Sequence, residues 1–338
     1  MSLATKYRPK TFDEVLGQDV VITVLKHQLE SQEYPHCYLF AGPSGDGKTT
    51  IARIMANEIN KGQGTPIEID GASNNGVDNI RAIIDDAQIR SIDSEYKIFI
   101  IDECHQITTA AWNAFLKCIE EPPKYTIFMF CTTDPQKLPE TILNRVMRFN
   151  LQKVSDELIL RRLSHICVQE PWLYANGALE LIVKAANGSV REALTSLERV
   201  VSYKLPVTPE TVQEVLGLES YDTMFKLTNA IADKDYATIT SIVEAIDQEG
   251  HPLINFTEQY LDFILDLLKY CIFQDMATTS IPANREEEVK YAVGLFPTLA
   301  EDANYFRHLA DQVLIIRNTL RNDFNSKLTL LTMLVGLE

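Results

Sequence analysis

The sequence has no C-x-x-C pair and no Cys/His cluster. Its six cysteines (Cys37, Cys104, Cys118, Cys131, Cys167 and Cys271) are scattered along 338 residues. That spacing argues against a disulfide framework and a cysteine-ligated zinc site, and predicts buried, reduced thiols. The six histidines are equally dispersed, so no metal site built of protein ligands suggests itself. Long hydrophobic runs are missing too. The most apolar stretch, Tyr260 to Phe273, is too short for a bilayer and carries Asp262, Asp266 and Lys269. The first residues, MSLATKYRPK, turn polar and basic at once, which is not the pattern of a signal peptide. The expectation is a cytosolic protein with no membrane partner. Basic charge is also scarce, 31 Lys and Arg against 47 Asp and Glu, for a formal charge of −16. A field of that sign repels phosphate, so the free chain is not expected to bind nucleic acid loosely. Any such contact would need a local basic or helix-terminus surface, for example inside an assembly.

What is present is the balance of a globular protein: 46% apolar and 23% charged residues, at a length that suits two or three domains. A polar arm containing Tyr7, Arg8 and Pro9 precedes an amphipathic pattern from about Val20 to Glu30. Short apolar runs then alternate with helical patterns. The runs are Tyr38–Phe40, Pro66–Ile69, Ile98–Ile101 and Thr126–Cys131; the helical patterns are Lys48–Asn60, Val77–Arg90 and Thr108–Glu120. This alternation predicts an α/β fold with a parallel sheet covered by helices on both faces. After about Asn150 the strands stop. Helices are expected over Ser155–Gln169, Asn176–Ala186, Val190–Tyr203 and Pro209–Leu216, and the chain stays helical beyond Gly217. The patterns at Tyr260–Phe273, Ala303–Arg321 and Ser326–Leu337 are apolar around most of their circumference, which predicts burial in a bundle or against another subunit.

Two motifs carry chemistry. Gly42-Pro43-Ser44-Gly45-Asp46-Gly47-Lys48-Thr49 fits G-x-x-x-x-G-K-[ST] and lies between an apolar run and a helical pattern, the context of a phosphate loop. Gly42, Gly45 and Gly47 let backbone N–H groups turn toward phosphate oxygens, and the following helix adds positive partial charge through Thr50. Lys48 is expected to reach the β- and γ-phosphates and Thr49 to place its hydroxyl on Mg²⁺. The second motif is the run Lys97 to Ile101 followed by Asp102 and Glu103, a buried strand ending in two carboxylates. Strand ends of this kind face the crevice where α/β proteins bind ligands. Asp102 suits the magnesium shell, and Glu103 suits orienting and deprotonating an attacking water. A guanine reader of the form N-K-x-D is missing, since Asn60-Lys61-Gly62-Gln63 lacks the aspartate, so ATP is the expected nucleotide.

From Lys6 to about Leu218 the chain resembles the gamma/tau family of bacterial DNA polymerase III clamp loaders, AAA+ ATPases related to replication factor C small subunits. The likeness runs through KYRPKTFDEVLGQ, HCYLFAGPSGDGKTTIAR, IEIDGASNNGVDNIR, IIDECH, FLKCIEEPP, CTTDPQKLPETILNR and GSVREAL, in that order. It implies a nucleotide-binding domain at 1–150, a helical lid at 151–217 and a helical collar at 218–338 that holds subunits in a ring. It also implies residue roles. Tyr7, Arg8 and Pro9 would line the adenine pocket, Thr133 would sense the γ-phosphate, Arg191 would reach in from the lid, and Arg145 would enter a neighbouring subunit's site.

The resemblance further implies ATP with Mg²⁺ as cofactors. The partners would be a sliding clamp, primer-template DNA, delta- and delta-prime-type subunits, and other copies of the chain, in a bacterial cytoplasm or a phage host's. DNA phosphates would meet helix starts near Asn75, Thr108 and Thr109. Two departures stand out. The cysteine zinc module that the family carries before the IEID strand is replaced by the polar stretch Asn60 to Thr65, so no zinc is expected. Asn144-Arg145-Val146 stands in place of Ser-Arg-Cys. The long extension of tau forms is also not expected. Two alternatives remain open, a non-catalytic scaffold subunit of the delta-prime sort and a different AAA+ remodeller such as a branch-migration motor. The intact Lys48, Thr49, Asp102 and Glu103 weigh against the first.

Overall fold

A computed structural model describes residues 2–294, 299–321, 323 and 325–337. Contacts divide the chain into two compact units, Met1–Pro209 and Glu210–Glu338. In the first unit the elements run α1 (Leu3–Lys6), α2 (Asp19–Ser31), β1 (Cys37–Ala41), α3 (Lys48–Ile59), β2 (Ile67–Asp70), α4 (Val77–Ala87), β3 (Lys97–Asp102), α5 (Thr109–Glu120), β4 (Thr126–Thr132), α6 (Glu140–Leu143), β5 (Met147–Asn150), α7 (Asp156–Gln169), α8 (Ala178–Ala186) and α9 (Val190–Tyr203).

The five strands form one parallel sheet in the order β2-β3-β4-β1-β5. Side chains alternate across it, as the period of two requires. Tyr38, Phe40, Ile98, Ile100, Ile127 and Met129 pack on one face with apolar residues of α2 and α3. Cys37, Leu39, Phe99, Ile101, Phe128 and Phe130 pack on the other with residues of α4 and α5. Every residue of β1 and β4 is buried, which is why those stretches read as continuous apolar runs rather than alternating ones.

The sequence pattern does not announce β5. It is four residues long, and Met147, Arg148 and Asn150 are exposed, so only Phe149 carries a core signal. It is placed by pairing with β1 in the register Leu39↔Arg148 and Ala41↔Asn150. The stretch Asn60 to Thr65 is a tight turn. The Asn60 amide donates to the Tyr96 carbonyl at 2.9 Å and accepts from the Tyr96 N–H at 3.0 Å, closing the chain back toward β3.

Past the sheet, α7, α8 and α9 pack on one another, and the N-terminal α1 packs on α9. Gln18 ties the arm to the segment after β5: its side chain donates to the Gln152 carbonyl at 2.7 Å and accepts from the Gln152 N–H at 3.2 Å.

Among the described residues the second unit holds helices and no strand: α10 (Pro209–Leu216, its first residue closing the first unit), α11 (Tyr221–Ala232), α12 (Tyr236–Gln248), α13 (Leu253–Phe273), α14 (Glu286–Val293), α15 (Leu299–Leu320) and α16 (Ser326–Val335). Its core is built on α13, whose Phe256, Tyr260, Phe263, Ile264 and Leu267 are buried against α11, α12, α14, α15 and α16. The helix α13 begins at Leu253, seven residues before the apolar pattern that announces it, with Pro252 at its N-cap. Its last turn is not enclosed within the unit: Ile272 and Phe273 are exposed. Among the described residues no helix is long and apolar enough to cross a membrane.

All six cysteines are buried and unpaired. Burial pushes the thiols of Cys37 and Cys271 up to about 12 and that of Cys167 up to about 11.

Candidate active site

Because all strands are parallel and β3, β4 and β1 are neighbours, their carboxyl ends meet along one edge of the sheet. The loop Gly42–Gly47 leaves β1 there and opens α3, a helix of 12 residues whose first N–H groups point back into the loop. The Gly42 N–H donates to the Thr132 carbonyl at 3.2 Å, fixing the loop to β4. Glycine is required at two positions. A Cβ on Gly42 would lie 2.8 Å from the Leu151 carbonyl oxygen, and one on Gly45, whose φ is +83°, would lie 2.0 Å from the Ser189 hydroxyl.

Lys48 is buried, and its ammonium donates to the carbonyls of Gly42 at 2.8 Å and Pro43 at 2.6 Å. Burial pulls its pKa down, an effect that Glu103 partly opposes. The Thr49 hydroxyl donates to Asp102 Oδ2 at 2.8 Å, so the two oxygens proposed to share a cation already sit side by side. A hydroxyl and a carboxylate, with room left for phosphate and water oxygens, are the hard-oxygen donors that Mg²⁺ takes.

Glu103 sits in the left-handed region, φ 44° and ψ 42°, which turns its side chain away from the strand direction and into the crevice. Its N–H donates to Asp102 Oδ1 at 3.0 Å. The Thr133 hydroxyl donates to Glu103 Oε2 at 3.2 Å, and His105 Nδ1 lies 3.3 Å from the same oxygen. His105 Nδ1 is also 3.2 Å from the Thr132 hydroxyl. The structure thus brings Lys48, Thr49, Asp102, Glu103 and Thr133 together.

One cleft receives Lys48, Thr49, Asp102 and Glu103, with Thr133 bonded to Glu103 behind its wall. Its walls include Tyr7, Arg8, Pro9, Thr50 and Arg191 as well as the loop, Asp102 and Glu103. Its lining also includes the apolar side chains of Val15, Leu16, Val154 and Leu194, a surface suited to the flat face of a base. The arm is anchored beside it by Tyr7, whose hydroxyl donates to Glu170 and whose carbonyl accepts from Arg162 at 3.0 Å. Lys6 also donates to Glu170, and these two hydrogen bonds hold the Glu170 carboxyl below the usual carboxylate range.

Arg145 stands apart. It is exposed, ion-paired with Glu120 at 2.7 Å and bonded to the Thr141 carbonyl at 2.7 Å, and it does not line this cleft. Asn75 and Thr108 are joined by a backbone hydrogen bond of 3.1 Å, while the Thr108 hydroxyl caps α5 by accepting from the Ala111 N–H. Thr109 is exposed beside them.

Sequence reasoning missed Arg162, Asp46 and His105. Arg162 has no motif to mark it. Asp46 occupies a position that the loop pattern leaves free, and His105 sits in the IIDECH run without a role. The structure also gathers Glu219, Glu249 and His251, whose ligand atoms lie within 4.8 Å of one another, although their spacing gives no sign of it. His251 Nδ1 is 3.1 Å from Glu219 and 3.7 Å from Glu249, a pairing that ties the α10–α11 and α12–α13 loops together.

A five-stranded parallel sheet with a phosphate loop after β1, an acidic pair after β3 and a helical cap is the AAA+ P-loop fold. Solved structures agree on the fold: the Thermotoga maritima RuvB Holliday junction branch migration motor matches with a TM-score of 0.52 at 23% identity, over 67% of this chain and 79% of that one. A point mutant of RuvB from the same organism gives 0.52 at 22% identity, with the same coverage of both chains. The profile described as DNA polymerase III, delta subunit, matches residues 66–155.

Among curated proteins, the chain is 34% identical over 286 residues to DNA polymerase III subunit tau of Bacillus subtilis, covering 78% of this chain and 51% of that protein. It is 33% identical over 270 residues to DNA polymerase III subunit gamma of Buchnera aphidicola, covering 73% and 75%. The chain belongs to the DNA polymerase III gamma/tau family. It spans about half the length of the Bacillus subtilis relative.

Proposed function

We propose that this chain is an ATP-hydrolysing subunit of a DNA sliding-clamp loader. The observation that carries this reading is the convergence of Lys48, Thr49, Asp102, Glu103 and Thr133 on one sheet edge, in a chain of the gamma/tau family. A scaffold subunit has no use for that full set.

In this reading Lys48 leaves the Gly42 and Pro43 carbonyls for the β- and γ-phosphates, and Thr49 and Asp102 hold Mg²⁺. The bound ion would neutralise developing phosphate charge. Glu103 takes the proton of the attacking water, and Thr133 fixes the Glu103 carboxylate while it does so. Tyr7, Arg8 and Pro9 flank the base, with Val15, Leu16, Val154 and Leu194 supplying its apolar bed. Arg191 reaches the phosphates from α9. Arg145, turned away from its own cleft, completes the site of the next subunit, where a permanently charged guanidinium suits spread phosphoryl charge.

Residues 1–150 then form the nucleotide domain, 151–217 the lid and 218–338 the collar. The partners are a sliding clamp, primer-template DNA touched near Asn75, Thr108 and Thr109, delta- and delta-prime-type subunits, and further copies of the chain. The protein works in the cytoplasm of a bacterium or a phage's host, and its Asn60–Thr65 turn takes the place of a zinc module, so folding needs no zinc. ATP would act by binding the clamp-gripping state better than the released one.

The test is ATP turnover of the purified chain with delta-type partners, with and without clamp and primed DNA, beside Lys48→Ala. Joint stimulation by clamp and DNA, lost in Lys48→Ala, supports the reading. Turnover indifferent to the clamp in the presence of all partners overturns it in favour of another AAA+ activity.

A further inference from the structure

The phosphate loop contains an acid, and nothing in the proposed mechanism uses it. Asp46 lies between Gly45 and Gly47, is 3% exposed, and neither carboxylate oxygen has a hydrogen-bond partner among the described residues. A buried carboxylate with both oxygens unpaired is an unstable anion. The charged groups around it do not relieve it by contact. Lys48, on the same loop, spends its ammonium on the Gly42 and Pro43 carbonyls. Lys153, from the segment between β5 and α7, donates to the Asn187 side chain at 2.7 Å. Asp102 at the end of β3, Glu103 just after it and Arg191 from α9 stand on the walls of the same cleft. Burial raises the carboxyl to about 6, even with Lys48 and Lys153 pulling the other way.

Arriving phosphates change this balance twice. They draw the Lys48 ammonium to themselves, and they bring negative charge into the loop that holds Asp46. At a separation of about 6 Å and an effective dielectric of about 20, one added negative charge raises the proton affinity of a carboxyl roughly a hundredfold.

We propose that Asp46 takes up a proton when a nucleotide binds, so that the loop receives phosphate as a neutral acid and nucleotide binding is coupled to pH. The proton comes from solvent and adds to a carboxylate oxygen; no bond of the nucleotide changes. The proposal rests on the nucleotide-site reading above and deepens it.

The sign follows from linkage. A group that binds a proton more tightly in the complex makes affinity fall as pH rises between its free and bound pKa values. With a free value of about 6 and a bound value roughly two units higher, nucleotide affinity should drop on the order of 20-fold from pH 6 to pH 8 relative to a variant without the acid.

The experiment is calorimetric titration of the full chain with ADP and Mg²⁺ in buffers of different ionisation enthalpy, at pH 6, 7 and 8. It compares wild type, Asp46→Asn and Asp46→Ser. The difference between wild type and variants cancels the protons that the nucleotide itself exchanges. At pH 7.5 the wild type is expected to take up roughly 0.7 proton more per nucleotide than either variant. Equal proton counts and parallel pH profiles in all three proteins overturn the proposal while leaving the nucleotide site intact. Failure of all three to bind ADP removes the site reading and the proposal with it.

Discussion

Glu103 is held in place before any substrate arrives, since Thr133 and His105 both meet its Oε2 and its own backbone adopts the left-handed conformation. Its side chain is therefore pre-aimed, and removing the charge without changing shape should affect chemistry more than binding. Glu103→Gln is expected to lower ATP turnover by roughly 10²–10⁴-fold with ADP affinity retained, as read by steady-state kinetics beside calorimetry. A comparable loss of affinity would mean that the carboxylate serves binding. Asp46 makes a second prediction at this scale, about stability. Its folded-state pKa, about 6, lies above the ordinary value of 3.8, so the native chain binds more protons than the unfolded one between those pH values. Stability from this group is therefore present at low pH and lost as pH rises through about 6. Asp46→Asn should melt above the wild type at pH 8, and the gap should narrow toward pH 4. A gap that widens at low pH would contradict the assignment of the carboxyl as the destabilising group.

Among the elements, the phosphate loop and the start of α9 constrain each other at Gly45. Gly45→Ala adds a methyl where the Ser189 hydroxyl already stands and forces a side chain into φ +83°. Strain of this kind costs roughly 1–3 kcal/mol, so a lowered melting temperature and weakened nucleotide binding are expected together. Pairing it with Ser189→Gly should recover the part due to collision and leave the part due to φ. The sheet's interior strands and the longer helices through α10 are legible in the sequence because each has a period and a boundary residue of its own, whereas the four-residue helices α1 and α6 are too short to show one. Even the two ends of α9 match, with the Ser189 hydroxyl accepting from the Glu192 N–H at its start. β5 is not legible, for its place is set by pairing with β1 rather than by its own four residues. The same distinction divides the site. Lys48, Thr49, Asp102 and Glu103 belong to contiguous motifs, whereas Arg162, Val154 and Leu194 reach the cleft only because α7 and α9 fold back over the loop. Such residues leave no local pattern to read.

For the whole molecule, the proposed shared-site arrangement has a strict consequence. Lys48 and Arg145 would serve different sites, one in the subunit's own cleft and one in its neighbour's. Lys48→Ala and Arg145→Ala should each abolish stimulated turnover alone. Mixed in one assembly they should restore part of it, because a Lys48→Ala subunit still offers Arg145 to the intact loop of its neighbour. Absence of rescue in assemblies shown to contain both would place Arg145 outside the catalytic site. Charge matters at this scale as well. Copies of a chain of formal charge −16 repel one another, so the proposed association should strengthen as salt rises from low to physiological ionic strength, measurable by sedimentation.

The six enclosed cysteines give the molecule a practical property. With every native thiol buried, and those of Cys37, Cys167 and Cys271 held far above neutral pH, the surface is chemically silent toward maleimides. A single Arg145→Cys substitution would then accept a dye at one address, without first stripping the natural cysteines, and a change in its emission on mixing would report the proposed approach of a second subunit.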